Sequence, residues 1–413
     1  MKNHAPHAAS NTAAPHQMNT AVVAVLWFRA RVVRENGVGT VWAVACGCPT
    51  EQAPALFVHL YFSAPRIRMP ALKANALKNR QIGPFTVSEI GLGCMNLSHA
   101  YGTPPSKEAA VALLHEALDL GVTLFDTAAL YGFGANEELV GPVLKSHRNR
   151  ITLASKGGMT GQPVGAGGAL QRVIDGRPES IRRDCEASLK RLQTDVIDLY
   201  YLHRWHKEVP IEDSVGAMSD LVRAGKVRAL GLSEVSASTL KKAHAVHPIA
   251  ALQTEYSLWT RNPEIAVLKA CQELGVAFVA FSPVARAFLT GALPDLTTLA
   301  ALPAKDIRRT MPRFEPVHYE HNLKLLPGYA ALAREAGCTP SQLALAWLLQ
   351  RAPHIVPIPG TTSREHLRED VAAAGVQLAP ELLAKLQALV NQRTVAGGRY
   401  NAQSQSEVDT EEF

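Results

Sequence analysis

Apolar and polar positions alternate in blocks along most of the chain. From about residue 88 onward, short apolar runs end on a polar side chain, and stretches with helical period follow them. Runs near 88–93, 122–126, 151–156, 196–203, 228–232, 250–254, 276–281 and 355–358 read as strands. Between them, "SKEAAVALLHEALDLG" (106–121) puts Val111, Leu114 and Leu118 on one face and stops at Gly121, which suits the left-handed position after a helix. "PESIRRDCEASLKRL" (178–192) has Pro178 in its first turn, then Ile181, Cys185, Leu189 and Leu192 at helical spacing. "TPSQLALAWLLQ" (339–350) opens with Thr339, Pro340 and Gln342, a capping box with proline at the first helical position. Strands alternating with helices imply parallel βαβ units. About eight of them in roughly 300 residues suit a closed (β/α)8 TIM barrel better than an open doubly wound sheet. The glycine fingerprint of the doubly wound fold is missing: "GLGCMN" (91–96) lacks the third glycine, and "GAGGAL" (165–170) follows no strand. Residues 77–88 read as a short β-hairpin capping the barrel bottom.

Residues 1–68 follow a different pattern. "MKNHAPHAASNTAAPHQMNT" (1–20) is polar and disorder-like, and 21–66 sustain no period of 2 or 3.6. The text changes at Met69, so residues 1–68 are expected to be a dispensable, disordered extension or the product of a misassigned start. The barrel is expected over 77–400, followed by an acidic C-terminal tail over 401–413.

Composition narrows the function classes. A chain that is 47% hydrophobic and 19% charged suits a soluble globular protein with a large core. The formal charge is +6, but the first 68 residues carry six Lys/Arg against two Asp/Glu, so the body is nearly balanced. It has no basic stripe of the kind that binds nucleic acid. "AVVAVLWF" (21–28) is broken by Arg29 and Arg31, far short of the about twenty residues that span a bilayer, so no membrane partner is expected. Of six cysteines, Cys94, Cys185, Cys271 and Cys338 sit alone in apolar or helical runs, the usage of reduced core thiols in a reducing, cytoplasmic compartment. "CGC" (46–48) has the form of a metal half-site, but no second Cys/His pair follows at zinc spacing, so no metal is expected.

In a barrel of this kind chemistry sits at the C-terminal ends of strands. The second strand ends on Asp126, with Tyr131 in the loop beyond; the third ends on Lys156 and the fourth on His203. Each alone has a bland reading: a cap, a packing phenol, a solvated lysine, a hydrogen-bonded histidine. Four of them at one rim suggest an acid–base site. A phenol of pKa about 10 is a poor proton donor and a poor base at neutral pH, and a nearby ammonium is expected to lower that value. Lys156 supplies the charge, Asp126 positions Lys156, Tyr131 acts as general acid in reduction and general base in oxidation, and His203 hydrogen-bonds the carbonyl oxygen. Reducing a carbonyl also needs a hydride source at the same mouth. "IPGTTSREHLRED" (358–370) is a Gly-containing turn opening a helix after the last strand, where barrels bind phosphate, although alone it reads equally as a turn and a cap. In "FSPVARAFLTG" (281–291) Phe281 is placed to stack on a planar ring, and Ser282 and Arg286 to reach a pyrophosphate.

From about 77 to 400 the chain resembles the aldo-keto reductases, especially the long-chain bacterial and plant branch that includes pyridoxal reductases. The resemblance is carried by "GLGCMNLS" (91–98), "FDTAALYGFGANEELVG" (125–141), "ASKGG" (154–158), "RDCEASLKRLQTDVIDLYYLHR" (183–204), "GKVRALGLSEVS" (225–236), "LQTEYSLWTR" (252–261), "FSPVARAFLTG", "PSQLALAW" (340–347) and "PIPGTTSREHLRED" (357–370), in the family's order. It implies a TIM barrel that binds NADPH in an extended pose and reduces aldehydes or ketones to alcohols. The family's catalytic tetrad falls on Asp126, Tyr131, Lys156 and His203. The nicotinamide-carboxamide contacts fall on Ser233, Gln253 and, more loosely, Glu234, where many relatives carry Asn. The stacking aromatic falls on Phe281, often Tyr elsewhere, and the adenine contacts on Glu369 and Asp370, the latter usually Asn. Cys94, Met95, Pro283, Val284, Gly360, Thr361, Thr362 and Arg364 complete the expected cofactor surface, and Tyr101, Phe133 and Trp205 the substrate walls.

Several positions depart from the family pattern. Thr362 and Ser363 stand where relatives carry bases that grip the 2′-phosphate; Arg364, His366 and Arg368 are the nearby substitutes, so NADPH is expected with NADH possible. His206 replaces a common Asp, and Ala287 replaces a Gly, which strains the loop if φ is positive there. Two other readings remain: a cofactor-binding, redox-sensing regulatory subunit, and a barrel aldolase using Lys156 as Schiff-base nucleophile, which borohydride trapping without nucleotide would reveal. The oligomeric state and the physiological carbonyl are not legible.

Overall fold

The computed structural model describes residues 25–34 and 37–46 by their backbone, and residues 77–98, 100–164 and 168–413. The chain divides into two units, Met1–Ala71 and Leu72–Phe413. In the first, β1 (Val25–Arg34) and β2 (Gly37–Cys46) form an antiparallel pair, with Val25 opposite Cys46 and Arg34 opposite Gly37. Valine-rich runs favour strands even where alternation is absent. The disorder expected of residues 1–20, the proposed start at Met69 and Cys48 of the "CGC" half-site lie outside the described residues.

The second unit opens with the expected hairpin, β3 (Asn79–Ile82) and β4 (Phe85–Ser88), turning at Gly83 with φ +52°. Its Ile82 and Val87 are buried in one cluster with Leu124, Leu199, Ala250 and Val279, residues of the barrel interior. The hairpin thereby plugs the end of the barrel remote from the strand termini that carry chemistry.

Eight parallel strands follow: β5 (Leu92–Gly93), β6 (Leu124–Asp126), β7 (Thr152–Gly157) and, after an antiparallel hairpin β8 (Met159–Val164) and β9 (Ala169–Ile174), β10 (Ile197–Leu202), β11 (Val227–Ser233), β12 (Ile249–Glu255), β13 (Ala277–Phe281) and β14 (Ile355–Pro357). Their order in the sheet is β5-β6-β7-β10-β11-β12-β13-β14. First and last strands meet through Gly91 N donating to the Pro357 carbonyl and Gly93 N to that of Pro359, both at 3.0 Å. This is the (β/α)8 barrel, and each strand lies where the sequence pattern puts it. The β8–β9 hairpin corrects the sequence reading, which places no strand before "GAGGAL" (165–170).

The helices are α1 (Lys107–Asp119), α2 (Ala135–Leu144), α3 (Pro178–Leu192), α4 (Ile211–Arg223), α5 (Ala237–Val246), α6 (Val267–Leu274), α7 (Leu296–Ala300), α8 (Pro316–Leu323), α9 (Leu326–Glu335), α10 (Pro340–Leu349), α11 (Arg364–Ala372), α12 (Pro380–Leu389) and α13 (Ala402–Ser406). In α3 the buried set includes Ile181, Cys185, Leu189 and Leu192, as their spacing requires, and α10 starts with the full Thr339–Gln342 capping box. Cys94, Cys185, Cys271 and Cys338 are buried free thiols. Burial pushes Cys185 and Cys271 up to about 12, which keeps them unreactive at neutral pH.

Residues 401–413 are seated against the barrel. Asp409 bridges Val235 in parallel, and its Oδ2 accepts from Ser236 N at 3.2 Å and from the Thr239 hydroxyl at 2.7 Å at the start of α5. Lys207 donates to the carbonyls of Ser406 and Val408. Among the described residues no helix is long and apolar enough to cross a membrane, and no group of three or more His, Cys, Asp or Glu is placed to hold a metal ion.

Candidate active site

Asp126 ends β6, and the neighbouring strands bring its partners. The Lys156 ammonium from β7 pairs with Asp126 Oδ1, and Gln253 on β12 donates to Oδ2 at 2.8 Å. The ammonium also donates to the Thr127 carbonyl at 2.9 Å and to the Tyr131 hydroxyl at 3.2 Å. Lys156 is 0% exposed, and its three protons thus meet three acceptors.

Tyr131 reaches this ammonium because the chain reverses immediately after it. Gly132 (φ 57°), Phe133 (φ 53°) and Gly134 (φ 102°) are all left-handed, and two glycines make that run accessible. The reversal leads into α2, where Asn136 donates to the Cys94 carbonyl at 2.9 Å and accepts from the Thr127 hydroxyl at 2.6 Å. Glu137, also buried, accepts from Ser155, the residue before Lys156, and pairs with Arg191 at 2.7 Å. Polar residues of α2 thus fix both β6 and β7 at the site. The Tyr131 ring stands edge-on to His203 at 5.8 Å between centroids.

Burial pushes the Tyr131 phenol above its ordinary value; Lys156 pulls it down, but the Asp126 carboxylate offsets part of that pull. The expected lowering is therefore corrected: burial outweighs the pull of the lysine, which acts on the phenol as half of an ion pair rather than as a bare charge. Burial alone would lower Lys156, yet Asp126 and then Tyr131 hold its ammonium above the ordinary range. A fully buried, stably charged amine is a poor Schiff-base nucleophile, which weighs against the aldolase reading.

A cleft of about 570 Å³ opens over these groups. Of the residues expected there, Asp126, Tyr131, His203, Met95, Tyr101, Ser233, Gln253, Phe281, Ser282, Pro283, Val284, Arg286, Gly360, Thr361, Thr362, Glu369 and Asp370 line it. Others lie elsewhere. Cys94 is fully buried; Trp205 turns its indole N–H to the Val209 carbonyl at 2.8 Å; Phe133 packs over Gly161 outside the cleft. Glu234 accepts from Glu255 N at 2.9 Å and pairs with Arg399, and Arg364 pairs with Glu116. The sequence reading missed Arg204, Arg308, Ser341, Tyr400, Asn401 and Glu407, all on the cleft wall. They follow no strand end closely enough to be read out, apart from Arg204 beside His203.

The loop after β13 is strained. Ser282, Ala285, Arg286 and Ala287 all have positive φ, from 50° to 73°, without a glycine among them. Arg286 holds it through Glu255 at 2.6 Å and the Tyr101 hydroxyl at 2.9 Å. Ala287 at φ 73° carries the strain foreseen where relatives have glycine.

Comparison with known proteins agrees with this construction. The model of the Aldo/keto reductase family matches residues 89–391. A "probable aldo-keto reductase 1" of Glycine max is 41% identical over 317 residues, covering 76% of this chain and 89% of the relative. An aldo-keto reductase of Schizosaccharomyces pombe, named with NADP(+), is 41% identical over 332 residues, 79% of this chain and 95% of its own. Among solved structures, glycerol dehydrogenase from Gluconobacter oxydans superposes with a TM-score of 0.68 at 27% identity, covering 77% of this chain and 95% of that one. An aldo/keto reductase of Klebsiella pneumoniae, solved with NADP and acetate, gives 0.59 at 29% identity, with 78% and 97% covered. A matched stretch that spans the whole barrel, with close relatives aligned over nearly their full length, leaves one conclusion: this chain belongs to the aldo-keto reductase family.

Proposed function

We propose that the protein reduces aldehydes or ketones to alcohols with a nicotinamide dinucleotide, Tyr131 giving the proton to the carbonyl oxygen. The observation that carries this reading is the Lys156 ammonium, anchored by Asp126, at 3.2 Å from the Tyr131 hydroxyl on the wall of an open cleft. Relatives named or solved with NADP support the choice of cofactor class.

The residues present fit such a group. Gly360 packs so closely on β5 that a Cβ there would lie 2.9 Å from the Gly93 carbonyl, which seats the turn before α11 on the cleft wall, beside a helix start of the kind that binds phosphate. Ser363 caps α11 by accepting from His366 N, so the helix start faces the same loop. Phe281 offers a ring face, and Ser233 and Gln253 offer polar groups for a carboxamide. When bound, the dinucleotide supplies the hydride that adds to the carbonyl carbon.

The chain's residues do the rest. His203 and Tyr131 hold the carbonyl oxygen by hydrogen bonds, polarising it and setting its distance. Tyr131 passes its proton to that oxygen, and Lys156 stabilises the resulting phenolate until it is reprotonated from solvent. Lys156 remains charged throughout, because Asp126, Thr127 and Tyr131 keep its protons engaged. The direct test is turnover of a panel of simple aldehydes, dicarbonyls and pyridoxal with reduced dinucleotide. Dinucleotide binding with no turnover of any carbonyl would instead favour the redox-sensing subunit.

The raised phenol gives a pH signature. Reduction needs the protonated phenol, which persists through the neutral range and beyond the ordinary value of about 10. The chemical step of reduction should therefore stay flat from about pH 6 to 9, while alcohol oxidation, which needs the phenolate, rises with pH across the same window. Single-turnover rates in both directions check this. A plateau of the oxidation rate below about pH 9 would contradict a raised Tyr131.

A further inference from the structure

The part of the cleft formed by α10 and the start of α11 is lined by Ser341, Thr361, Thr362, His366, Glu369 and Asp370. No Lys or Arg is among these described residues. Two arginines of α11, Arg364 and Arg368, lie four apart on one face of the helix, and neither lines the cleft. Both pair with the same carboxylate: Arg364 Nε with Glu116 Oε2 and Arg368 Nε with Glu116 Oε1. Glu116 belongs to α1, and its side chain is only 8% exposed, whereas the two arginines are 55% and 57% exposed.

We propose that Glu116 is a specificity-determining residue: by engaging Arg364 and Arg368 it keeps both away from the adenosine 2′ position, so the chain binds NADH at least as tightly as NADPH. This rests on the reading of the cleft as a nicotinamide-dinucleotide site. The argument is electrostatic. A 2′-phosphate requires a cationic partner, and bidentate arginine is the strongest available. Withdrawing both arginines would leave a buried carboxylate without a counter-ion, a state that folded proteins resist, and withdrawing one strips a Glu116 oxygen of its charged hydrogen-bond donor. Each Glu116 oxygen already has its own guanidinium, and the i,i+4 spacing on α11 matches that double pairing. On the cleft side, Glu369 offers acceptors that suit a ribose or adenine donor and disfavour a phosphate dianion, while burial and the neighbouring Glu369 push the Asp370 acid well above its ordinary range. Thr362 and Ser363, where relatives carry bases, add no charge. Of the three substitutes expected from the sequence, Arg364 and Arg368 are thus already committed, and His366 alone lines the cleft.

The test is a titration of the full chain with NADH and with NADPH, followed by quenching of tryptophan fluorescence. Wild-type protein should bind NADH as tightly as NADPH or more tightly. Glu116→Gln should tighten NADPH by about fivefold or more and shift NADH by less than about twofold, because it frees the two arginines. Should Glu116→Gln prove too unstable, Thr362→Arg places a new cation on the exposed turn without touching the buried carboxylate, and should tighten NADPH by about tenfold. NADPH binding about tenfold tighter than NADH in the wild type, and lost on Arg364→Ala with Arg368→Ala, would overturn the inference alone. Failure of both dinucleotides to bind would overturn it together with the cofactor reading beneath it.

Discussion

Tyr131→Phe should lower kcat for aldehyde reduction by about 10³- to 10⁴-fold while the Kd for dinucleotide changes by less than about threefold. The substitution removes one oxygen from a site that otherwise stays supported. The ring keeps its edge-on contact with His203 and its place beside the Lys156 ammonium, 4.9 Å from the ring centroid. Lys156 keeps Asp126 and the Thr127 carbonyl, so no bare charge is left. Replacing Lys156 is a less clean experiment, because it strips Asp126 of its counter-ion and confounds chemistry with stability. The measurement is kcat and dinucleotide Kd on the same preparation. Parallel loss of both would mean that the phenol shapes the cleft and does not donate the proton.

The parts of this site that were readable from sequence share one property. Asp126, Tyr131, Lys156 and His203 each lie at or just past the end of an apolar run, so finding the strand finds the residue. The strands themselves announce their ends, because a barrel strand buried on both faces is continuously apolar until it reaches the rim. What stayed hidden was pairing between distant segments. Glu116 and Arg364 are separated by 248 positions, and Glu234 and Arg399 by 165, and no local period links such residues. The family pattern placed Glu234 at a carboxamide, but only the fold shows its carboxylate turned to Arg399. The direction of the Tyr131 shift was hidden for a related reason: charge proximity is legible from motif spacing, whereas the degree of burial that outweighs it is a property of the packed loop.

The largest stability effect should come from Arg399→Ala, at about 3–5 kcal/mol. Arg399 is almost fully buried and pairs with Glu234 just beyond β11; its Nε lies 3.8 Å from Glu255 at the end of β12. Glu255 in turn holds Arg286 at 2.6 Å, so two acids and two arginines form one buried ladder across three post-strand loops. Truncating Arg399 leaves Glu234 with the Glu255 amide as its remaining named partner, and an uncompensated buried carboxylate is far costlier than the net worth of any exposed pair. Denaturant unfolding of wild type, Arg399→Ala and the double variant with Glu234→Gln separates lost contact from stranded charge. The double variant should recover a good part of the loss, since a neutral amide no longer needs the guanidinium. A single-variant loss below about 1 kcal/mol would mean that the ladder is not a structural unit. Because the same ladder anchors Arg286 in the strained loop of positive φ, Arg399→Ala should also weaken dinucleotide binding more than it slows the chemical step. That split between Kd and single-turnover rate would place the C-terminal segment, remote in sequence from the catalytic strands, among the elements that hold the cleft in shape.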